Sequence, residues 1–317
     1  MCPRGQRSQG RGKGSDDTHY VRTRPGRRSP PDPVSWNLPP ERAGRPAPES
    51  LTARRDGAAA MMADKPAAPG TTAQDETIGG VQCVVCRPAA PTSTIVYLHG
   101  GGYRLGAARS WVSFATSVAA AADTQVVIVD YRLAPEHPFP AALLDAAAVF
   151  EALSTDHVGP LFVAGDSAGG GLAISLTVAA GESGLPRPDG LIVLSPWADL
   201  TLGSETFATR AGTDQFFPKD SAAEAAESYL QGADPHHPLA SPLLADLADF
   251  PKTLIFAGGS ETLLGDGLSL CTALVTAGAS VEAHFPAGMQ HVWPTLFPEL
   301  PESIDAMAAI TRFIKGV

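Results

Sequence analysis

The sequence predicts an α/β protein: a mostly parallel central sheet covered by helices on both faces, with an added helical cap. Short β-branched runs recur at 94–100, 125–131, 161–165, 191–196, 253–259 and 280–287, each ending in turn residues. Ala-rich helical stretches lie between or beyond them at 109–122, 140–153, 168–180, 264–277 and 302–315. Continuous apolar strands alternating with helices are what a sheet buried on both faces requires. The rhythm breaks once, because residues 197–252 are too long for a simple crossover. An inserted helical element at about 202–232 accounts for the excess, and such an element shapes a pocket and excludes water.

Taken in chain order, residues 1–48 come first. They place Arg4, Arg7, Arg11, Lys13, Arg22, Arg24, Arg27 and Arg28 among Gly, Ser and Pro with few apolar residues, and so read as a disordered basic tail. A start codon set too far upstream is a second reading of it. Arg27-Arg28 is followed by PPDPVSWNLPP and not by an apolar run, which argues against an export signal. The folded domain is expected over 49–317. It begins with a short helix in ESLTARRDGAAAMMA, a second cap element at about 49–66, followed by a loop, KPAAPGTTAQDE, and strand-like alternation at 77–87. Cys83 and Cys86 lie on that strand, where a spacing of three points them to opposite faces as structural thiols.

The bulk numbers exclude several function classes. At 317 residues, 44% hydrophobic and 18% charged, the chain suits one α/β domain with appendages. A net charge of −10 lacks the basic face that nucleic acid or an anionic membrane needs, and no apolar run is long enough for a membrane span. Four scattered cysteines fit a reducing cytoplasm, and neither a metal nor an organic cofactor is expected.

In a parallel sheet, chemistry gathers at the carboxyl ends of the strands. Residues 163–171, VAGDSAGGG, place a G-x-S-x-G match between a strand and a helix, a context that exposes Ser167 as a nucleophile. The alternative use of such a turn, cradling a phosphate, lacks the G-K-[ST] that it needs. YLHGGGY ends an earlier strand, and the N–H groups of Gly101 and Gly102, with that of Ala168, are the expected oxyanion donors. His99 is read as a structural residue holding that loop. A serine needs an imidazole base and the base needs a carboxylate. Among eight histidines only His291 follows the last strand in a loop, which selects it as the base. Glu261 and Asp266 compete as the acid, and Glu261 is favoured because it directly follows the strand end at Gly258-Gly259, whereas Asp266 is expected to cap or solvate the next helix. Substrate-pocket candidates are Tyr103, Trp111, Trp197, Phe216, Phe217 and Trp293.

Read together, HGGGY, VDYRLAPEHPFPAALLDA, GDSAGG, SPWADLT, YLQGADPHHPLASPLLADL, GSETLL and HVW occur in the order in which they occur in hormone-sensitive-lipase-like esterases. The sequence resembles that branch of the α/β-hydrolase superfamily from about residue 50 to its end. The resemblance implies an α/β-hydrolase fold, a Ser167, Glu261, His291 triad and hydrolysis of short-chain or acetyl carboxylic esters through an acyl-enzyme. The family often has Asp where Glu261 stands. The DYRLAPEHPFP segment is expected to be scaffold, with Arg132 paired to nearby carboxylates and with Ala134-Pro135 or Phe139-Pro140 as candidate cis bonds. Acyl transfer, ring closure or deacetylation of a small natural product by the same triad is an alternative, and a non-catalytic small-molecule receptor is an alternative of another class. The expected partner is a small-molecule ester, with a homodimer as a further possibility.

Overall fold

The computed structural model describes residues 36–63 and 66–317. Eight strands form one sheet in the order β1-β2-β4-β3-β5-β6-β7-β8: β1 Thr71–Ile78, β2 Val81–Pro88, β3 Ser93–Leu98, β4 Thr124–Val129, β5 Leu161–Asp166, β6 Gly190–Leu194, β7 Lys252–Phe256 and β8 Val281–His284. The two pairings made by β2 are antiparallel and the others are parallel. Helices are α1 Glu49–Ala63, α2 Val112–Ala122, α3 Ala141–Thr155, α4 Ala168–Glu182, α5 Thr206–Thr209, α6 Lys219–Leu230, α7 Leu264–Thr276, α8 Trp293–Leu296 and α9 Pro301–Lys315.

Strand alternation divides the interior into two cores, as the side-chain period of two requires. Val96 and Leu98 of β3, Val127 and Val129 of β4, and Val163 of β5 pack with α3, α4 and α7 on one face. Ile95, Tyr97, Val126, Ile128 and Phe162 pack with α2 and α9 on the other. Cys83 and Cys86 enter opposite cores as unpaired thiols, and burial pushes both up to about 12.

One strand departs from the sequence expectation. TTAQDETI, read mostly as loop, is β1, paired to β2 through Gly79-Gly80, whose φ angles of 58° and 82° suit a two-residue hairpin turn. As an edge strand with every side chain at least partly exposed, it carries no hydrophobic signal to read.

Residues 1–35 of the expected tail lie outside the described residues. Residues 36–48 form no helix or strand, yet they are held to the domain. Trp36 Nε1 donates to Glu151 (2.8 Å), Arg42 to the carbonyls of Leu230 (2.9 Å) and Gln231 (2.6 Å), and Arg45 to Glu227 (2.8 Å). Composition gives no hint of these contacts, because they are polar and reach far along the chain.

The DYRLAPEHPFP segment is braced as expected. Arg132 pairs with Asp145 (2.9 Å) and with Glu41, Arg55 from α1 forks onto Glu136 (2.6 and 2.8 Å), and both candidate Xaa-Pro bonds are cis. Strand order sets the position of the site. From β3 the chain goes to β4 on one side, then crosses back to β5 on the other, so the crevice beyond the ends of β3 and β5 is the topological switch point.

Candidate active site

Ser167 stands between the end of β5 and the start of α4 with φ 54° and ψ −122°, a strained conformation for a residue with a side chain. Main-chain bonds hold it there. Its N–H donates to Leu194 O (2.8 Å), and its carbonyl accepts from Gly171 (3.1 Å) and Trp197 (2.9 Å). The turn also needs space. A Cβ on Gly169 would lie 2.0 Å from Leu98 O and 2.4 Å from His99 O, so glycine lets the helix start press against the loop that follows β3.

That loop carries Gly101 and Gly102, with φ angles of 122° and 61° that side-chain-bearing residues avoid. It is anchored from both sides. His99 is fully buried between the rings of Tyr131 (4.2 Å) and Trp111 (4.9 Å), and Gly100 N–H donates to Asp166 Oδ1 (3.0 Å). Asp166 also accepts from the Tyr97 hydroxyl (2.8 Å), and burial raises its carboxyl to about 6. The acid that precedes Ser167 is thereby tied to the opposite loop.

Glu261 follows β7, and His291 follows β8 in the turn that enters α8. His291 Nε2 is 2.9 Å from Ser167 Oγ, and Nδ1 is 3.2 Å from Glu261 Oε2. Glu261 is fully buried, and burial raises its carboxyl against the opposing pull of hydrogen bonds from His291 and Ser195. Burial disfavours the imidazolium of His291, but the hydrogen bond and charge of Glu261, helped by Asp214 and Asp166, outweigh it and raise the group above 6.5. The arrangement supplies an oriented base to a hydroxyl.

Asp266 neither caps nor solvates its helix. It is 1% exposed, and its Oδ2 accepts from Ala198 N–H (2.9 Å) and Asp199 N–H (3.0 Å), which holds the loop after β6. It makes no contact with His291 among its hydrogen bonds, so the structure brings together only Glu261 of the two acid candidates.

A cleft of about 300 Å³ opens over Ser167 and His291, lined by Gly101, Gly102, Phe216 and Phe217 among others. The remaining aromatic pocket candidates do not line it. Tyr103, Trp197 and Trp293 are core residues, each at most 1% exposed, and Trp111 stacks on His99. Trp197 instead packs edge-on against Phe217 (5.2 Å) and so backs the cleft wall. Larger grooves of about 550 and 590 Å³ lie against α9, but neither contains Ser167 or His291. Among the described residues, no group of three or more His, Cys, Asp or Glu could hold a metal ion.

Sequence reading missed two residues of the site. Ser195 bridges Glu261 Oε2 (2.8 Å) and Val292 N–H (2.9 Å). Asp214 accepts from the N–H groups of Phe216 (2.8 Å), Phe217 (2.9 Å) and Thr262 (2.8 Å), joining the cap segment to the acid loop. The Asp-x-Phe spacing of the second is a local turn signal that could have been read.

A mostly parallel sheet with a serine elbow at its switch point, and a histidine and a carboxylate on later loops, defines an α/β hydrolase. A family described as alpha/beta hydrolase fold matches residues 95–295. An acetyl-hydrolase of Streptomyces hygroscopicus is 37% identical over 242 residues, 75% of this chain and 81% of that protein. An esterase of Acinetobacter venetianus is 32% identical over 228 residues, 71% of this chain and 75% of that one. The crystal structure of an esterase from the bacterial hormone-sensitive lipase family superposes with a TM-score of 0.81 at 35% identity, covering 86% of this chain and 93% of the other. The chain belongs to the hormone-sensitive-lipase-like esterases of the α/β-hydrolase superfamily and is a carboxylic ester hydrolase.

Proposed function

We propose that the chain hydrolyses short-chain or acetyl carboxylic esters through an acyl-enzyme, with Ser167 as nucleophile, His291 as base and Glu261 as the orienting acid. The observation that carries this reading is the continuous chain from Ser167 Oγ through both nitrogens of His291 to a carboxylate that is fully buried. His291 takes the serine proton as Oγ attacks the ester carbonyl. The N–H groups of Gly101, Gly102 and Ala168 hold the oxyanion that forms, an interaction strongest where charge develops in the transition state. The bond between acyl carbon and alkoxy oxygen then breaks, and His291 gives the proton to the departing alcohol. Water repeats the sequence, supplying hydroxide to the acyl carbon and a proton to His291, and Ser167 is restored.

Helix α1 and the segment through α6 act as the cap, with Phe216 and Phe217 giving the acyl group an apolar wall. The name acetyl-hydrolase borne by a relative supports small acyl groups. The test uses p-nitrophenyl acetate, butyrate and octanoate with the wild-type chain and Ser167→Ala. Turnover is expected to fall about 10⁴- to 10⁶-fold in the variant, with acetate or butyrate preferred by the wild type. Unchanged activity in the variant rules the mechanism out.

A further inference from the structure

Arg104 is a cation in an unusual place. It follows Tyr103 after the glycine loop, and its side chain is only 2% exposed. A buried guanidinium costs stability unless its charge and its donors are matched. Nη2 donates to the Ser221 carbonyl (3.1 Å) and more weakly to its hydroxyl (3.4 Å), while Nη1 lies 2.6 Å from Glu224 Oε1. Arg54 Nη1 stands 3.3 Å from the other oxygen of the same carboxylate. Two guanidinium groups thus share one half-exposed carboxylate, and the cluster keeps a net positive charge.

Its donors are also incompletely used. Nη1 is buried and close to Glu224 yet makes no aligned hydrogen bond with it. Both arginines line the cleft that holds Ser167 and His291. A Cβ on Gly102 would stand 4.0 Å from Arg104 Nε, which sets the guanidinium beside the glycine loop. An Arg fork matches a carboxylate in shape and charge, and it gains strength where water is excluded.

We infer that Arg104 and Arg54 select esters that carry a free carboxylate near the scissile bond. The inference rests on Ser167 being the nucleophile of an ester hydrolase and names the class of substrate that it meets. The carboxylate belongs either to the acyl part, as in a half-ester of a dicarboxylic acid, or to the leaving alcohol.

Matched pairs separate the two sources. Monoethyl glutarate is compared with its neutral amide, ethyl glutaramate, and 4-acetoxybenzoate with 4-acetoxybenzamide. For each pair the ratio of kcat/KM, anionic over neutral, is measured, so that intrinsic reactivity cancels between wild type and variants. In at least one pair the ratio is expected to fall about tenfold or more in Arg104→Met and about threefold in Arg54→Gln, mainly through KM. In Glu224→Gln, which removes the competing carboxylate, the ratio is expected to rise. High salt should lower the wild-type ratio by screening.

Arg54 and Glu224 are both half-exposed, so their variants keep the test sound if Arg104→Met folds poorly. Ratios that stay constant in all variants, with both members of each pair losing activity together, assign Arg104 to scaffold and overturn the inference. In that outcome turnover of the neutral esters still stands for Ser167. Absence of turnover on any ester overturns the ester-hydrolase mechanism itself, and the inference with it.

Discussion

Ser195 Oγ lies 2.8 Å from Oε2 of Glu261, the same carboxylate oxygen that faces His291 Nδ1 at 3.2 Å. Ser195 also accepts the N–H of Val292, the residue after His291, at 2.9 Å. One hydroxyl therefore ties Glu261 to the loop that carries His291. Removing it leaves a buried N–H without its acceptor, at about 1–3 kcal/mol. Ser195→Ala is expected to lower kcat about 10- to 100-fold with little change in KM, and to lower the urea midpoint. Steady-state kinetics with p-nitrophenyl butyrate checks the first effect. A proportional loss in kcat/KM caused by KM alone contradicts the positioning role.

The pH profile follows from the same pair. Burial opposes the charge on His291, but Glu261, Asp214 and Asp166 prevail and hold the group above 6.5. The proposed mechanism needs the neutral imidazole, so activity is expected to fall as pH drops through that raised value. The acid limb of kcat/KM is expected to have its midpoint above pH 6.5 in the wild type. Glu261→Gln removes the largest raising influence and should move the limb to lower pH.

Glu261 and Asp266 separate cleanly by isosteric substitution. Glu261→Gln is expected to cost about 10³- to 10⁴-fold in kcat, whereas Asp266→Asn keeps an acceptor for the Ala198 and Asp199 N–H groups and retains most activity. The two differ in stability as well. Burial raises Asp266 to about 7 in the folded chain, above its ordinary 3.8, so the native state holds a proton that the unfolded state has released. Its contribution to stability is full below pH 3.8 and is lost as pH rises through about 7. Unfolding free energies of Asp266→Asn should show a flatter decline across that window than the wild type.

Gly169→Ala tests the packing of the elbow. Alanine normally strengthens a helix by about 1 kcal/mol over glycine. Here the new methyl meets the backbone carbonyl of Leu98 at 2.0 Å, and backbone cannot swing aside. A loss of about 2–3 kcal/mol in urea unfolding is expected, together with strongly reduced activity.

Much of this architecture was written locally. The buried strands β3 to β7 announce themselves because both faces are apolar, and Ser167, Glu261 and His291 each sit where a strand ends, which chain order alone exposes. Strand β1 was illegible because an edge strand buries nothing completely. Among the pocket aromatics Phe216 and Phe217 do line the cleft, whereas the others were illegible for a different reason. Tyr103, Trp197 and Trp293 have the composition of a binding wall, but which side of a loop faces the cleft is decided by tertiary packing, here by Tyr103 stacking on Tyr229 at 3.8 Å and by Trp197 lying behind Phe217. Ser195, and the tie from Asp214 to the loop of Glu261, leave no signal because these partners lie 66 and 48 residues away in sequence; only the turn that Asp214 makes with Phe216 and Phe217 is local. Long-range polar contacts between loops leave no periodic trace.

The central claim is that Ser167 Oγ becomes covalently bonded to the acyl group. It is tested most directly by treating the wild-type chain and Ser167→Ala with diethyl p-nitrophenyl phosphate and measuring intact and peptide masses. One diethylphosphoryl group per chain is expected, located on Ser167 and absent from the variant, with esterase activity lost in proportion to labelling. A label on another residue that abolishes activity, or full activity in a chain labelled on Ser167, contradicts the account.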